Sequence, residues 1–362
     1  MIEKRDKYNI LSPIYTKIID PSDFHIITES KAVDDYIVEE HIAGQPHNSV
    51  DIAFIGEGYT EKEKRKFSKD VKRYAAELFS IEPFKSNQEK INIRGILRFS
   101  AESGVDEPTK NIYRNTILDA TFNSFDSPRY LLTENNKMLH DIAAQVPYDA
   151  IIILANIDRY GGGGIYNFYS ISTANESTWN DYVFIHEFGH SFAGLADEYY
   201  SSSVAYDDFY PEGIEPSEPN ITRLLNPDKL KWKSLMSPEL EIPTDWGKAK
   251  VDSINLRLSE LQKLRAEKIN NAIFHNKSEE EIADAKNKYK DDIDSLRKTL
   301  KDFMANHPLR GKVGVFEGAG YSSQGIYRPT LNSIMHQFTD QDKQFYPVNE
   351  QAIQRMIDFY TK

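Results

Sequence analysis

An α/β fold is predicted by three features of this sequence. Strand-like apolar runs alternate with helical patterns, one run is apolar at every position, and helix starts and stops fall at workable offsets. Val50-Asp51-Ile52-Ala53-Phe54-Ile55 reads as a buried strand, stopped by Gly56-Glu57-Gly58. Thr60 with Glu63 offers a capping box opening a helix that carries Phe67, Val71 and Ala75. A second strand is predicted near Ile91 to Phe99. The third, Ala150-Ile151-Ile152-Ile153-Leu154-Ala155, has no polar position and so belongs at the centre of a sheet. Gly161 to Gly164 break the chain before another β-prone run, Ile165 to Ile171. Thr178 with Asp181 marks a helix start, and Gly194 its stop.

The two flanks of this pattern differ from it. Up to residue 45, short β-rich runs (Ile10 to Ile19, Phe24 to Ile27, Tyr36 to Val38) alternate with turn residues. That is too little chain for an ordinary β-domain, so it reads as the end of one or as strands added to the α/β domain after it. From Lys248 to Phe303, Val251, Ile254, Leu258 and Leu261 recur at helical spacing. Ile282, Ala285, Tyr289, Ile293, Leu296, Leu300 and Phe303 then form a heptad-like stripe. An antiparallel helical hairpin turning near His275 to Ser278 is predicted, either a solvated insertion or an arm that docks a partner or walls a cleft.

Composition narrows the chemistry. The 362 residues are 40% hydrophobic, enough for a packed core, and the formal charge of −12 argues against general nucleic-acid binding. With no cysteine, disulfides, thiol catalysis and cysteine-built zinc sites are excluded, so a metal would need His and carboxylates. No run of about 18 apolar residues exists to span a membrane. Met1-Ile2-Glu3-Lys4-Arg5 is too polar for a signal peptide, which leaves a cytoplasmic protein or a chain without its leader as expectations.

The sharpest signal is His186-Glu187-Phe188-Gly189-His190. On a helix the two histidines stand one turn apart and can hold one Zn²⁺, with Glu187 beside them to act as general base. Chance alone would produce such a match in about one chain in a hundred, so the residues downstream of the motif carry weight. A catalytic zinc needs a third protein ligand, from a glutamate on a later helix or from a residue brought back by a sharp turn. Gly194 permits that turn, and Asp197 lies three residues beyond it, with Glu198 as its competitor. The spacing approaches H-E-x-x-H-x-x-G-x-x-H of the metzincins, with one extra residue before the glycine and Asp in place of the last His. Downstream, Ser333-Ile334-Met335-His336 looks like the methionine turn that lies beneath the metal in such enzymes, with Met335 as floor. Gln337 stands where some of them carry a metal-reaching tyrosine.

Together these segments resemble one family, the M64 or IgA-peptidase family of bacterial metallopeptidases. The matching pieces are Val50 to Thr60 with its Gly56-Glu57-Gly58-Tyr59-Thr60, Ser100 to Asp106, Tyr160 with the glycine run, and His186 to Tyr199. Phe316-Glu317-Gly318-Ala319-Gly320-Tyr321, Tyr327-Arg328-Pro329 and the Met335 turn complete them. The resemblance implies a zinc endopeptidase, secreted or in the cell envelope, with one Zn²⁺ per chain and a protein or peptide as substrate. Its implied fold is a metzincin-like α/β domain over 46–362, with a twisted mixed sheet, a backing helix and an active-site helix. Residues 248–304 would be an inserted helical hairpin and 1–45 an N-terminal β stub. By family position Glu317 would orient a ligand histidine. Tyr199, His336 and Arg328 are candidate donors to the reacting oxygen, each with a structural hydrogen bond as the plainer alternative. Gly162 and Gly163 would shape the cleft rim or simply form a flexible loop. A non-catalytic binding or adhesion module on a peptidase fold, and a zinc hydrolase of cell-wall peptides, are the alternative functions. Retention of Glu187 weighs against the first, since a structural metal site needs no base.

Overall fold

The structure, a computed structural model, describes residues 2–5, 11–18, 20, 22–23, 34–200, 209–336 and 343–362. The expected strand at Phe24 to Ile27 lies outside the described residues. The chain divides into two compact units. The larger comprises 1–235, 318–327 and 332–362, and the smaller 236–317 and 328–331.

In the larger unit, β1 (Ile2–Arg5) and β2 (Leu11–Tyr15) pair antiparallel as a separate ribbon. The main sheet has six strands. They are β3 (Tyr36–His41), β4 (Val50–Glu57), β5 (Ile91–Leu97), β8 (Ala150–Ala155), β9 (Gly162–Ile165) and β10 (Tyr169–Thr173), in the order β3-β5-β4-β8-β10-β9. A short ribbon of β6 (Thr121–Phe122) and β7 (Leu131–Leu132) stands apart. The four inner strands are parallel and both edges are antiparallel, which makes the sheet mixed. Residues 36–41 thus form an edge of this sheet.

Alternation along the inner strands explains why they carry so few polar residues. Ile52, Phe54, Ile152 and Leu154 face one core, and Ala53, Ile55, Ile151, Ile153 and Ala155 face the other. The first core is closed by α1 (Lys64–Leu78), α3 (Thr178–Ala193) and α7 (Tyr346–Tyr360), and the second by α2 (Asn136–Ala143) and the 117–132 segment. A sheet covered on both faces buries apolar side chains at every position. Ahead of α1, the Glu63 carboxylate accepts from the Thr60 N–H at 2.9 Å and from its hydroxyl at 2.8 Å.

One expected run is divided. The segment from Ile165 to Ile171 is not one strand, because a turn at Asn167, with φ of 53°, separates β9 from β10. Gly162 to Gly164 do not break the chain either: they lie within β9, the edge strand laid against α3.

The smaller unit contains α4 (Lys248–Phe274), α5 (Glu279–Asn287) and α6 (Lys290–Ala305). Leu258, Leu261 and Ile293 form a buried cluster with Ile254, Tyr289 and Leu296 around it. Ser278 caps α5 through a capping box with Glu281. Tyr289, at φ of 64°, splits the expected second helix into α5 and α6. Strands β11 (Phe316–Ala319) and β12 (Ser322–Arg328) pair as a hairpin, whose residues 318–327 belong to the larger unit. No helix among the described residues is long and apolar enough to cross a membrane.

Candidate metal centre

Helix α3 begins at the Ser177 cap, whose hydroxyl accepts from the Trp179 N–H, and ends where Gly194 adopts a left-handed conformation, φ 62°. Only glycine takes that conformation without strain. The Leu195 N–H reaches back to the Gly189 carbonyl at 3.3 Å, so the chain folds under the last turn of the helix. This reversal carries Asp197 to the two histidines.

Each imidazole is oriented from behind. His186 Nδ1 lies 2.9 Å from the Ile334 carbonyl and His190 Nδ1 lies 2.6 Å from the Leu195 carbonyl. A carbonyl only accepts, so each Nδ1 carries the proton and each Nε2 presents a lone pair. The two Nε2 atoms are 3.0 Å apart, and Asp197 Oδ1 sits 3.1 Å from the first and 3.4 Å from the second. Asp197 Oδ1 is a buried oxygen that accepts no hydrogen bond. Three converging electron pairs in a buried place are repulsive unless a cation lies between them. Ligands on a tetrahedral zinc with bonds of about 2.0–2.1 Å stand about 3.3 Å apart, which these separations approach. The donor set fits a metal ion, and His186, His190 and Asp197 form the one such group among the described residues.

The electrostatics agree with the geometry. Burial opposes ionisation of Asp197, yet the His190 and His186 rings hold its carboxyl well below the usual range. Burial would lower the His190 pKa, but the Asp197 charge lifts it to about 9. The trio keeps positive charge at its centre, a second proton on His190 in the metal-free protein and the cation in its place when a metal binds. Glu187, partly exposed on the same turn, is pushed upward mainly by burial, against the pull of the two histidines and Arg129.

Glu198, the competitor for the third ligand, points elsewhere and is fully buried. Its carboxylate accepts from Ser333 Oγ at 2.7 Å, Asn220 Nδ2 at 3.0 Å and Asn349 Nδ2 at 2.9 Å. Its N–H donates to the Met335 carbonyl at 2.7 Å. Glu198 therefore ties the segment after α3 to the turn at 333–335. Met335 is fully buried, and a methyl group on Gly189 would come within 2.9 Å of its sulfur, so the turn lies directly against the metal-bearing helix.

The other candidates have varied surroundings. Gly162 and Gly164 face α3: a methyl group on Gly162 would meet Glu187 Cγ at 3.2 Å, and one on Gly164 the Glu187 carbonyl at 2.4 Å. Gly163 faces Leu132 on the opposite side. The ring of Tyr199 packs edge-on against Tyr321, centroids 5.6 Å apart. His336 Nδ1 lies 3.2 Å from Asn332 Oδ1. In the smaller unit, Arg328 is buried against Trp246, and it donates to the carbonyls of Thr330, Leu331 and Glu317. The Glu317 carbonyl also accepts from Trp246 Nε1. Gln337 lies outside the described residues.

Two contributions escape a reading of the sequence. The Tyr321 hydroxyl donates to Asp197 Oδ2, and the Gly320 N–H donates to the Asp197 carbonyl at 3.0 Å. The Arg129 carbonyl accepts from the Gly162 N–H at 3.4 Å, which brings a cation beside the strand that covers Glu187. Tyr321 lies within a segment carrying the family resemblance, but no spacing rule links it to Asp197.

No curated protein matches the chain. The model of one family, described as IgA Peptidase M64, matches residues 38–357. With nearly the whole chain covered, this protein belongs to the M64 peptidase family.

Proposed function

We propose that the chain is a zinc-dependent endopeptidase acting on protein or peptide substrates outside the cytoplasm, secreted or in the cell envelope. Membership of a peptidase family supplies the reaction class. The observation that carries the rest is the convergence of His186 Nε2, His190 Nε2 and Asp197 Oδ1 beside Glu187. The first three would hold the zinc, which when bound supplies Lewis acidity toward water and the scissile carbonyl. Met335 forms the floor of the centre, in the manner of a metzincin.

Glu187 is the proton carrier. It takes a proton from the attacking water and delivers it to the leaving amine. Tyr321 holds Oδ2 of Asp197 so that Oδ1 alone faces the histidines. The Ile334 and Leu195 carbonyls fix the histidine tautomers. Strand β9 covers one side of Glu187 with Gly162 and Gly164, where any side chain would intrude on the helix. The helices at 248–304 read as an insertion into the peptidase domain.

The test is zinc content and cleavage of a random peptide library by wild type and Glu187→Gln. The expected outcome is about one zinc per chain in both, with cleavage by wild type alone. Cleavage by Glu187→Gln removes the mechanism. Zinc in both without cleavage in either removes the peptidase reading in favour of a binding module.

A further inference from the structure

A solvent-open cavity of about 430 Å³ lies at the start of α3, lined by Tyr160, Asn175, Ser177, Trp179 and Asn180. Its walls are two large aromatic rings. Trp179 is 51% exposed and Tyr160 44% exposed, with ring centroids 6.5 Å apart and planes crossing at 86°. Part of the polar lining is hydrogen-bonded within the protein. Asn175 Oδ1 accepts from the Ser177 N–H, Ser177 Oγ from the Trp179 N–H, and Asn180 Nδ2 donates to the Thr173 carbonyl and hydroxyl. No charged side chain lines the cavity, and its largest surfaces are the two aromatic rings. A tryptophan left half in water at the first turn of a helix retains much of its burial energy for an incoming group.

The cavity lies along the same strand and helix that carry the metal centre. Strand β9 and α3 run side by side in one direction. Tyr160 meets Trp179 at one end, Gly162 meets Val183 and Glu187 further on, and Gly164 meets His190. The charges of Glu187 and Asp197 both act on the Tyr160 hydroxyl. Trp179 and Glu187 stand two helical turns apart, about 12 Å along the axis. An extended peptide advances about 3.3 Å per residue, so that distance is spanned by about three to four residues.

We propose that this cavity is a substrate subsite that receives an aromatic side chain about three to four residues from the scissile bond. It rests on the peptidase reading above and adds to it a preferred class of substrate: chains carrying Phe, Tyr or Trp at that distance from the cleaved bond. The incoming ring packs against the indole and phenol and buries area on all three, as aromatic clusters do.

Two measurements test it. Zinc-loaded wild type and Trp179→Ala are compared on peptides differing only by Phe or Ala at the predicted position. Trp179→Ala should lose about tenfold in kcat/KM on the Phe peptide and change little on the Ala peptide. An equal loss on both peptides, or no preference for Phe in wild type, overturns the subsite while leaving the peptidase reading intact. The second measurement needs no turnover. Of the three tryptophans, Trp232 and Trp246 are buried, so Trp179 dominates any solvent-sensitive fluorescence change. Glu187→Gln titrated with the Phe peptide should show a saturable shift that the Ala peptide does not produce. A shift that is absent, or the same with both peptides, overturns the subsite whether or not wild type hydrolyses anything.

Discussion

Tyr321 grips Asp197 from the tip of a two-residue turn in which Gly320 and Tyr321 both lie at positive φ, 54° and 67°. A bulky residue rarely holds that conformation, which glycine, asparagine or aspartate fill at little cost. The turn nonetheless places a hydroxyl on Oδ2 and a backbone N–H on the Asp197 carbonyl, while the Tyr321 N–H donates to the Tyr199 carbonyl at 2.9 Å. Backbone strain here coincides with a side chain that orients a metal ligand.

Tyr321→Phe should weaken zinc binding by about 10–100-fold, read by competition with a chelator. Tyr321→Gly relieves the turn but removes the same hydroxyl and the ring packed on Tyr199, so its zinc affinity should fall as far. An undiminished affinity in both variants would show that Asp197 needs no partner.

Asp197 and Glu198 are adjacent carboxylates with opposite fates. Asp197→Ala removes a metal ligand and leaves one buried donor, the Tyr321 hydroxyl, without its acceptor, so the chain should stay folded and lose zinc. Glu198→Ala leaves the Ser333, Asn220 and Asn349 donors without their acceptor, at about 1–3 kcal/mol each if unreplaced. It should unfold at markedly lower temperature in the metal-free state. Were the two phenotypes exchanged in melting and zinc titrations, the ligand assignment would be exchanged with them.

These two carboxylates also mark how far the sequence could be read. The helix with its paired histidines, its start at Thr178 and its glycine stop is a local pattern, because caps and a 3.6-residue period act within a few turns. The apolar strand at 150–155 is legible for the same reason. The separation of Asp197 from Glu198 depends on Asn220, Ser333, Asn349 and Tyr321, all distant in sequence, and no periodicity encodes those meetings. The glycine strand β9 is illegible for a different cause. Its packing against α3 requires the absence of side chains, so the alternation that announces a strand is missing.

That packing is itself testable. Gly164→Ala puts a methyl group 2.4 Å from the Glu187 carbonyl and 2.9 Å from His190 Cβ, so strand or helix must move. The expected cost is about 1–3 kcal/mol, with weaker zinc binding because His190 shifts. A tip in a flexible loop would lose less than about 0.5 kcal/mol. Thermal melts with and without zinc separate these outcomes.

Glu57 predicts a pH dependence away from the metal. It ends β4 fully buried, and accepts from the Thr116 hydroxyl and from the Ala120 and Leu118 N–H groups, both at 3.0 Å, thereby fastening the 116–120 segment to the sheet. Burial pushes its carboxyl up, outweighing those hydrogen bonds, which favour the ionised form. A carboxyl raised on folding stabilises the native state most below its unfolded pKa, and loses that contribution as pH rises through the folded value. Glu57→Gln does not titrate and turns an amide donor toward one of the N–H groups, so it should cost about 1–3 kcal/mol. The penalty should be largest near pH 4 and shrink toward pH 7, because wild type alone bears the cost of ionising a buried group. Denaturant melts of both proteins across that range give the difference directly. A penalty that grows with pH would mean that the three donors, and not burial, govern this carboxylate.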